Sequence, residues 1–461
     1  QKANMTHTSD LIAGVARERI TEFTSQETAR FVHARPISRA AQAEMAQTWF
    51  DRVPLHWMKD WPLPFLPHVA YAQKAQLFDV DGFGIDDFCL GDTGSMFGHS
   101  PKAVAKAIMA QAKNGLTYML PNQAAKEAGF WLTERFGDFR WQLTLSATDA
   151  NRFALRVARG VTGRSKVLVF TGCYHGTVDD AMVRQVGAKT RARLGLVGQV
   201  ADLSKAAICV EFNDLAAVEA ALATGEVAAI LTEPALTNCA MVLPAPGFLE
   251  GLRVLATKYG ALLILDETHT ISTGLGGYKG RYGLEPDMFV VGKCVAGGVA
   301  TGVWGLSPDL AVRLQAYNNQ KPAGHSGMGT TLSANPLQFA ALTANLSQVM
   351  TAKSYTKMEA GAARLEQGLA RVVSYHKLPW HVVRLGARVE FICAPGPLHN
   401  GTQAIEAHHP NLEAALHIGL LNRGSLIAPF HNMMLVSPVT SIKQIDRLIA
   451  AFDDVVSTLM K

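Results

Sequence analysis

The chain lacks any run of about 18 apolar residues, so the sequence gives no candidate membrane span. It also lacks paired cysteines. Cys89, Cys173, Cys209, Cys239, Cys294 and Cys393 are scattered with no C-x-x-C pair. That spacing suggests neither a disulfide framework nor a zinc or other metal cluster, and it reads as the reduced thiols of a cytoplasmic protein. Excess charge is scarce as well: 43 Lys and Arg stand against 38 Asp and Glu, a net +5 over 461 residues. Without a basic stripe, that balance argues for neither nucleic acid nor a membrane surface. No basic-then-apolar leader pattern opens the chain, and Met5 reads as its natural start. No internal repeat and no low-complexity tract is visible. What remains is a globular composition, 48% hydrophobic and 18% charged, long enough for roughly two to four domains.

Residues 1 to about 50 read as polar helix. Pro54, Pro62, Pro64 and Pro67 then forbid a regular helix through "DRVPLHWMKDWPLPFLPH". A "DVDG" turn between two apolar runs, in "AQLFDVDGFGIDDF", signals a hairpin. From about residue 100 short apolar runs alternate with helical patterns. The runs are "SKVLVF" (165–170), "VAAILTEP" (227–234), "ALLILDE" (261–267) and "DMFVVGK" (287–293). Between them, "GFLEGLRVLATKYG" places Phe248, Leu249, Leu252, Leu255, Ala256 and Tyr259 on one face, with Gly260 as a stop. Continuous apolar strands alternating with helices predict an α/β fold, a largely parallel sheet covered on both faces. After about residue 345 come a long helix, two strands around "HVVRLGARVEFICAP" and a final helix. Ser441 and Gln444 form a capping box for that helix, which should bury Ile442, Ile445, Leu448, Phe452 and Val456. The expected domains are an N-terminal segment (1–100), a large domain (101–345) and a C-terminal small domain (346–461).

Ligands of open α/β sheets sit beyond the carboxyl ends of the strands. Glu233, Asp266 and Lys293 all stand at such ends. They could be structural ion pairs at a sheet edge, or a site. "LLILDETHTIS" sharpens the question, since it delivers Asp266 and Glu267 to the end of a buried strand, where an unpaired carboxylate is costly. A lysine between an apolar strand and glycines that loses solvent is disfavoured in its charged form and can serve as an amine nucleophile; taken alone, Lys293 reads rather as a surface lysine at a strand end. Ser146, Ala147 and Thr148 open a helix whose free N–H groups could hold a phosphate, or could be an ordinary cap. Tyr174 and His175 end a strand, where an aromatic could stack on a flat ring or fill the core. Taken together, a strand-end acid, a strand-end lysine, a phosphate-ready helix start and an aromatic plate describe one ligand, pyridoxal 5′-phosphate. Asp266 would then face its ring nitrogen and keep it protonated.

Over roughly residues 70–460 the sequence resembles the class III aminotransferases, pyridoxal-phosphate enzymes of fold type I, in the glutamate-1-semialdehyde aminomutase and ω-aminotransferase branch. The motifs are "DVDGFGIDDFCLGDTGSMFGHSP", "YHG" at Tyr174–Gly176, "TEPALTN", "DE … PDMFVVGKCVAGG" and "GTTLSANP" at 329–336. The resemblance implies a large domain with a seven-stranded, mostly parallel sheet, plus a smaller α+β domain built from both ends of the chain. It implies that Lys293 carries the cofactor as a Schiff base and acts as general base and acid, with Asp266 at the ring nitrogen. Ser146, Ala147, Thr148, Tyr174, His175, Glu233, Asn238 and Thr268 become cofactor contacts. Thr330 and Thr331 become the residues that reach the phosphate of a neighbouring subunit, which implies a homodimer with shared active sites. Trp57 and His431 fall in regions bordering the entrance, and Arg388 falls where relatives place carboxylate-binding arginines. The sequence departs from the family pattern at Ala147 (usually Gly), Thr268 (usually Val), the following His269, and Ile271-Ser272-Thr273 (usually "GFR", so that an Arg is missing).

The implied activity is an aminotransferase that moves an amino group from an amine or amino acid to a small oxo acid. Two alternatives stay beside it: an aminomutase that returns the amine to the same molecule, and a non-catalytic binding or regulatory paralogue. "GLGGYKG" (274–280) follows no strand into a helix as a dinucleotide motif requires, so it is set aside.

Overall fold

A computed structural model describes residues 10–461. The expected start at Met5 and the first residues of the expected polar helix lie outside the described residues. The rest of that helix is split, with helices at Arg17–Ala34 and Pro36–Glu44. The chain divides into two compact units. One holds Thr93–Tyr355 and Leu398–Glu406. The other holds residues up to Asp92, Thr356–Pro397 and Ala407–Lys461.

The larger unit is built on seven strands: β1 (Arg140–Thr144), β2 (Lys166–Phe170), β3 (Ala207–Val210), β4 (Val227–Thr232), β5 (Leu262–Asp266), β6 (Met288–Val291) and β7 (Gly302–Leu306). Their order across the sheet is β3-β2-β4-β5-β6-β7-β1. Only β7 runs against its neighbours. The apolar runs in the sequence have a direct cause. Along β2, Val167 and Val169 pack with Phe153, Leu155 and Val157 of helix α1 (Ala147–Thr162). Phe170 points to the other face, where its ring meets Phe212 and Phe248, the latter from helix α2 (Phe248–Tyr259). Both faces are covered, so neither can be polar. Helix α2 stops at Gly260, in the left-handed conformation expected of a glycine cap.

The other unit holds a four-stranded sheet whose Gln76–Asp79 and Gly84–Asp87 strands form the hairpin expected at "DVDG". A three-stranded sheet of 381–385, 388–392 and 433–435 carries Phe391 into a core with Phe23, Leu369, Leu416 and Phe452. The last helix, Ile442–Met460, opens on the expected Ser441–Gln444 capping box and buries Ile445, Leu448, Phe452 and Val456. Ile442 is instead 62% exposed, because as the first helical residue it precedes the turn that packs. The helix at Pro410–Asn422 carries no marked amphipathic stripe, being buried nearly all round, and the sequence did not announce it.

Candidate active site

Four neighbouring parallel strands, β2, β4, β5 and β6, bring their carboxyl ends side by side. Tyr174 and His175 follow β2, Glu233 follows β4, Asp266 ends β5, and Lys293 comes two residues after β6. Asp266 pairs in register with Val290 of β6. Topology alone therefore gathers most of the candidate residues at one edge.

Asp266 is 3% exposed. Its Oδ2 accepts from His175 Nδ1 at 2.8 Å and from Asn151 Nδ2 at 3.0 Å. Its Oδ1 accepts from the backbone N–H of Thr268 at 3.1 Å and from Thr268 Oγ1 at 2.6 Å. Burial alone would raise its pKa. The His175 bond and charge, with the Thr268 and Asn151 bonds, outweigh burial and hold the carboxyl below its ordinary range. For His175, burial pushes the imidazole down, but the bond to Asp266 carries it up to about 10. The cation that Asp266 required is thus an imidazolium. His175, expected at the cofactor, is bonded through Nδ1 to the acid.

Glu267 is held differently. It is fully buried; the N–H groups of Tyr278 and Lys279 and the hydroxyl of Thr270 donate to it. Burial lifts its pKa to about 7 against those bonds. "GLGGYKG" therefore serves partly as the backbone cradle of this carboxylate. Burial also raises Glu233 to about 7, opposed by the Thr237 hydroxyl. Asn238 Nδ2 lies 3.4 Å from Glu233 Oε2.

Helix α1 starts as expected: Ser146 is its N-cap and its side chain accepts from Asp149 N. The other N–H groups of the first turn have no partner within the helix, which is the condition for anion binding. Two glycines shape this end. Gly176, at φ +82°, lies so close to Thr148 that an added Cβ would come within 2.1 Å of its hydroxyl. The neighbouring Thr177 N–H donates to that same hydroxyl at 3.1 Å. Gly292 faces Ala147, and a Cβ on it would sit 2.9 Å from the alanine methyl. The alanine found where the family usually has glycine is thus accommodated by a glycine beside the lysine.

Lys293 adopts φ +47°, a left-handed conformation uncommon for a residue with a Cβ and concentrated at functional sites. Its side chain is only partly buried, so the fold does not provide the complete desolvation suggested by the flanking apolar residues. Tyr174 is likewise half-buried, not core filler.

Asn151 went unrecognised in the sequence. It is fully buried in α1, and its amide donates to both Asp266 Oδ2 and the backbone oxygen of His175. The signal was a polar residue on the apolar stripe of Ala150, Ala154 and Ala158.

Thr330 and Thr331 lie on an exposed loop. They do not cap the next helix, Pro336–Ala344, because Asn335 does so in a capping box with Gln338. Trp57, Arg388 and His431 belong to the other unit. Trp57 is 41% exposed and meets Phe430 edge-on at 4.9 Å. Arg388 is buried, so it is no surface arginine. His431 is buried with its Nδ1 2.8 Å from Glu390 Oε1, which removes it as an open lining residue.

A parallel sheet with an ionised, buried acid at one strand end, a lysine beside the next and a free helix N-terminus is the framework of the pyridoxal-phosphate enzymes of fold type I. The chain belongs to the class III aminotransferase family, whose model matches residues 59–456. It is 34% identical over 399 residues to the glutamate-1-semialdehyde 2,1-aminomutase of Roseiflexus castenholzii, covering 85% of this chain and 90% of that protein. Among solved structures it is similar to a glutamate-1-semialdehyde aminomutase from Pseudomonas aeruginosa PAO1, with TM-score 0.95, 44% identity, and coverage of 97% and 100%. A lysine-to-alanine variant of that protein was solved in complex with PMP. The β-phenylalanine aminotransferase of Variovorax paradoxus is similar at TM-score 0.83 and 25% identity, with coverage of 95% and 97%. The cofactor is pyridoxal phosphate, and the residues present fit it: the acid is ionised without it, and the cradle between Gly176 and Thr148 has no room for a side chain.

Proposed function

We propose that the protein is a pyridoxal-phosphate-dependent aminomutase, shifting an amino group between adjacent carbons of one small amino aldehyde of the glutamate-1-semialdehyde type. The observation that carries this reading is its similarity to glutamate-1-semialdehyde aminomutases over nearly the whole chain. It replaces the external transfer to an oxo acid that the motifs first suggested. When bound, the cofactor supplies an electron sink for the carbon next to the amine nitrogen.

The chain's own groups divide the work. Lys293 Nζ holds the cofactor covalently, then takes and returns the proton at the substrate carbon. Asp266, charged by its contact with His175, holds the ring nitrogen in its protonated form. The first turn of α1, with Ser146, Ala147 and Thr148, binds the phosphate. Tyr174, Glu233, Asn238 and Thr268 would supply the remaining contacts to the cofactor ring. Thr330 and Thr331 act on the site of a second copy in a homodimer. By resemblance alone, Trp57 and Arg388 are the candidate substrate residues, Arg388 for a carboxylate.

The test is co-substrate dependence. The holoenzyme is incubated with glutamate-1-semialdehyde and no oxo acid. Stoichiometric formation of the 2,1-shifted isomer is expected, and turnover that requires an added oxo acid rejects the reading. The similarity to the β-phenylalanine enzyme supports the second reading, an aminotransferase. That reading predicts turnover of a β-amino acid only when an oxo acid is present.

A further inference from the structure

Asp266 has no acceptor position to spare. A carboxylate offers about four lone-pair sites, and four donors already occupy them: His175 Nδ1, Asn151 Nδ2, Thr268 N and Thr268 Oγ1. A protonated ring nitrogen arriving at this acid is a fifth donor, so one of the four must yield.

The four are not equal. The Thr268 N–H is main chain, two residues beyond β5, and cannot turn. Asn151 is completely buried and its amide serves two acceptors at once, Asp266 and the His175 carbonyl. Releasing it would free both. His175 is buried and supplies the charge that lets the acid stay ionised. The Thr268 hydroxyl alone sits on one rotatable bond, and it can swing its hydrogen away without moving the backbone. Its bond is also the shortest of the four, 2.6 Å, as expected for a hydroxyl on a carboxylate.

We propose that the Thr268 hydroxyl is a placeholder for the cofactor's ring nitrogen: it donates to Asp266 in the cofactor-free enzyme and turns away when the ring N–H arrives. The inference rests on the reading of Asp266 as the ring-nitrogen partner. Its signature is a pair of effects with opposite sign. In the empty site the hydroxyl steadies a buried carboxylate, so removing it weakens the apoprotein. In the filled site it is a competitor, so removing it tightens the cofactor. A residue that merely packs against the ring would show loss in both.

The experiment measures the affinity of apoprotein for pyridoxal phosphate and for its 1-deaza analogue, in which carbon replaces the ring nitrogen. Thermal stability of each apoprotein is measured alongside. Thr268→Val is expected to bind pyridoxal phosphate about tenfold tighter, roughly the net gain of one hydrogen bond. The same variant should bind the deaza analogue as wild type does, and should melt lower without cofactor. Thr268→Ser, which keeps the hydroxyl, should match wild type throughout, and Thr268→Ala stands in if the valine variant does not fold. Unchanged or weaker binding of pyridoxal phosphate overturns the placeholder, as does an equal change for both ligands. Asp266→Ala separates the underlying reading. If it weakens both ligands equally, Asp266 is not the ring-nitrogen partner. If it discriminates between them while Thr268→Val does not, only the placeholder fails.

Discussion

His175 Nδ1 lies 2.8 Å from Asp266 Oδ2, and both side chains are buried, 1% and 3% exposed. The pair bridges the loop after β2 and the end of β5. Each member sustains the charge of the other where water cannot.

This pairing fixes a pH dependence. A base whose folded pKa is raised stabilises the fold fully below its unfolded value, here 6.5, and loses that contribution as pH rises through the folded value of about 10. Asp266 behaves in the opposite sense, because its folded pKa is lowered. Its contribution is present at neutral pH and is lost as pH falls through that lowered value. The apoprotein should therefore lose melting temperature between about pH 6.5 and 10, and His175→Gln should lose much less over the same interval. Parallel curves for the two proteins would show that the imidazole is not charged in the fold.

Lys293 and Asp266 should fail in different ways. Lys293→Ala should leave no cofactor trapped on the protein by borohydride, while the cofactor still binds non-covalently. Trapping at another lysine would reject the assignment. Asp266→Asn should retain cofactor and lose at least a hundredfold in turnover. A loss within tenfold, about 1.4 kcal/mol, would mean that the carboxylate does not serve the ring nitrogen.

Gly176→Ala should destabilise the protein by about 1–3 kcal/mol, the usual cost of forcing extra atoms into a packed site. The left-handed backbone and the Thr148 hydroxyl both oppose the new methyl. The Gly176→Ala, Thr148→Ala double variant should recover part of the loss by relieving the collision. Denaturant midpoints for the three variants decide it, and strict additivity would count against the contact.

Sharing of sites between two copies is tested by mixing. Chains carrying Lys293→Ala are combined with chains carrying Thr331→Ala. If Thr331 reaches the neighbour's phosphate, each mixed dimer has one site with both lesions and one with neither. The second site should hold cofactor as wild type does. Mixtures without a normal site would reject shared sites.

The sheet was legible in the sequence because its strands are buried on both faces and its helices carry clear stops, as at Gly260. Asp266 and Lys293 were legible because charged residues at the ends of apolar strands are unusual. The partners that hold the buried acids were harder to see. Asn151 sits 115 residues from the acid it binds, and no local pattern connects two such positions. Glu267 is held by two backbone N–H groups and the Thr270 hydroxyl, and backbone partners are not displayed by sequence. The helix at Pro410–Asn422 escaped for a related reason: burial on nearly all sides erases the amphipathic stripe that announces a helix.

The contact between Ala147 and Gly292 acts as a length standard. The alanine stands in the first turn of α1, where the phosphate is proposed to sit, and the glycine immediately precedes Lys293. The lack of room for a side chain on Gly292 therefore limits how near the first turn of α1 and the backbone before Lys293 can come. Bulk added to Gly292 would lengthen the standard, and bulk removed from Ala147 would shorten it. The two positions should thus tolerate change only as a complementary pair.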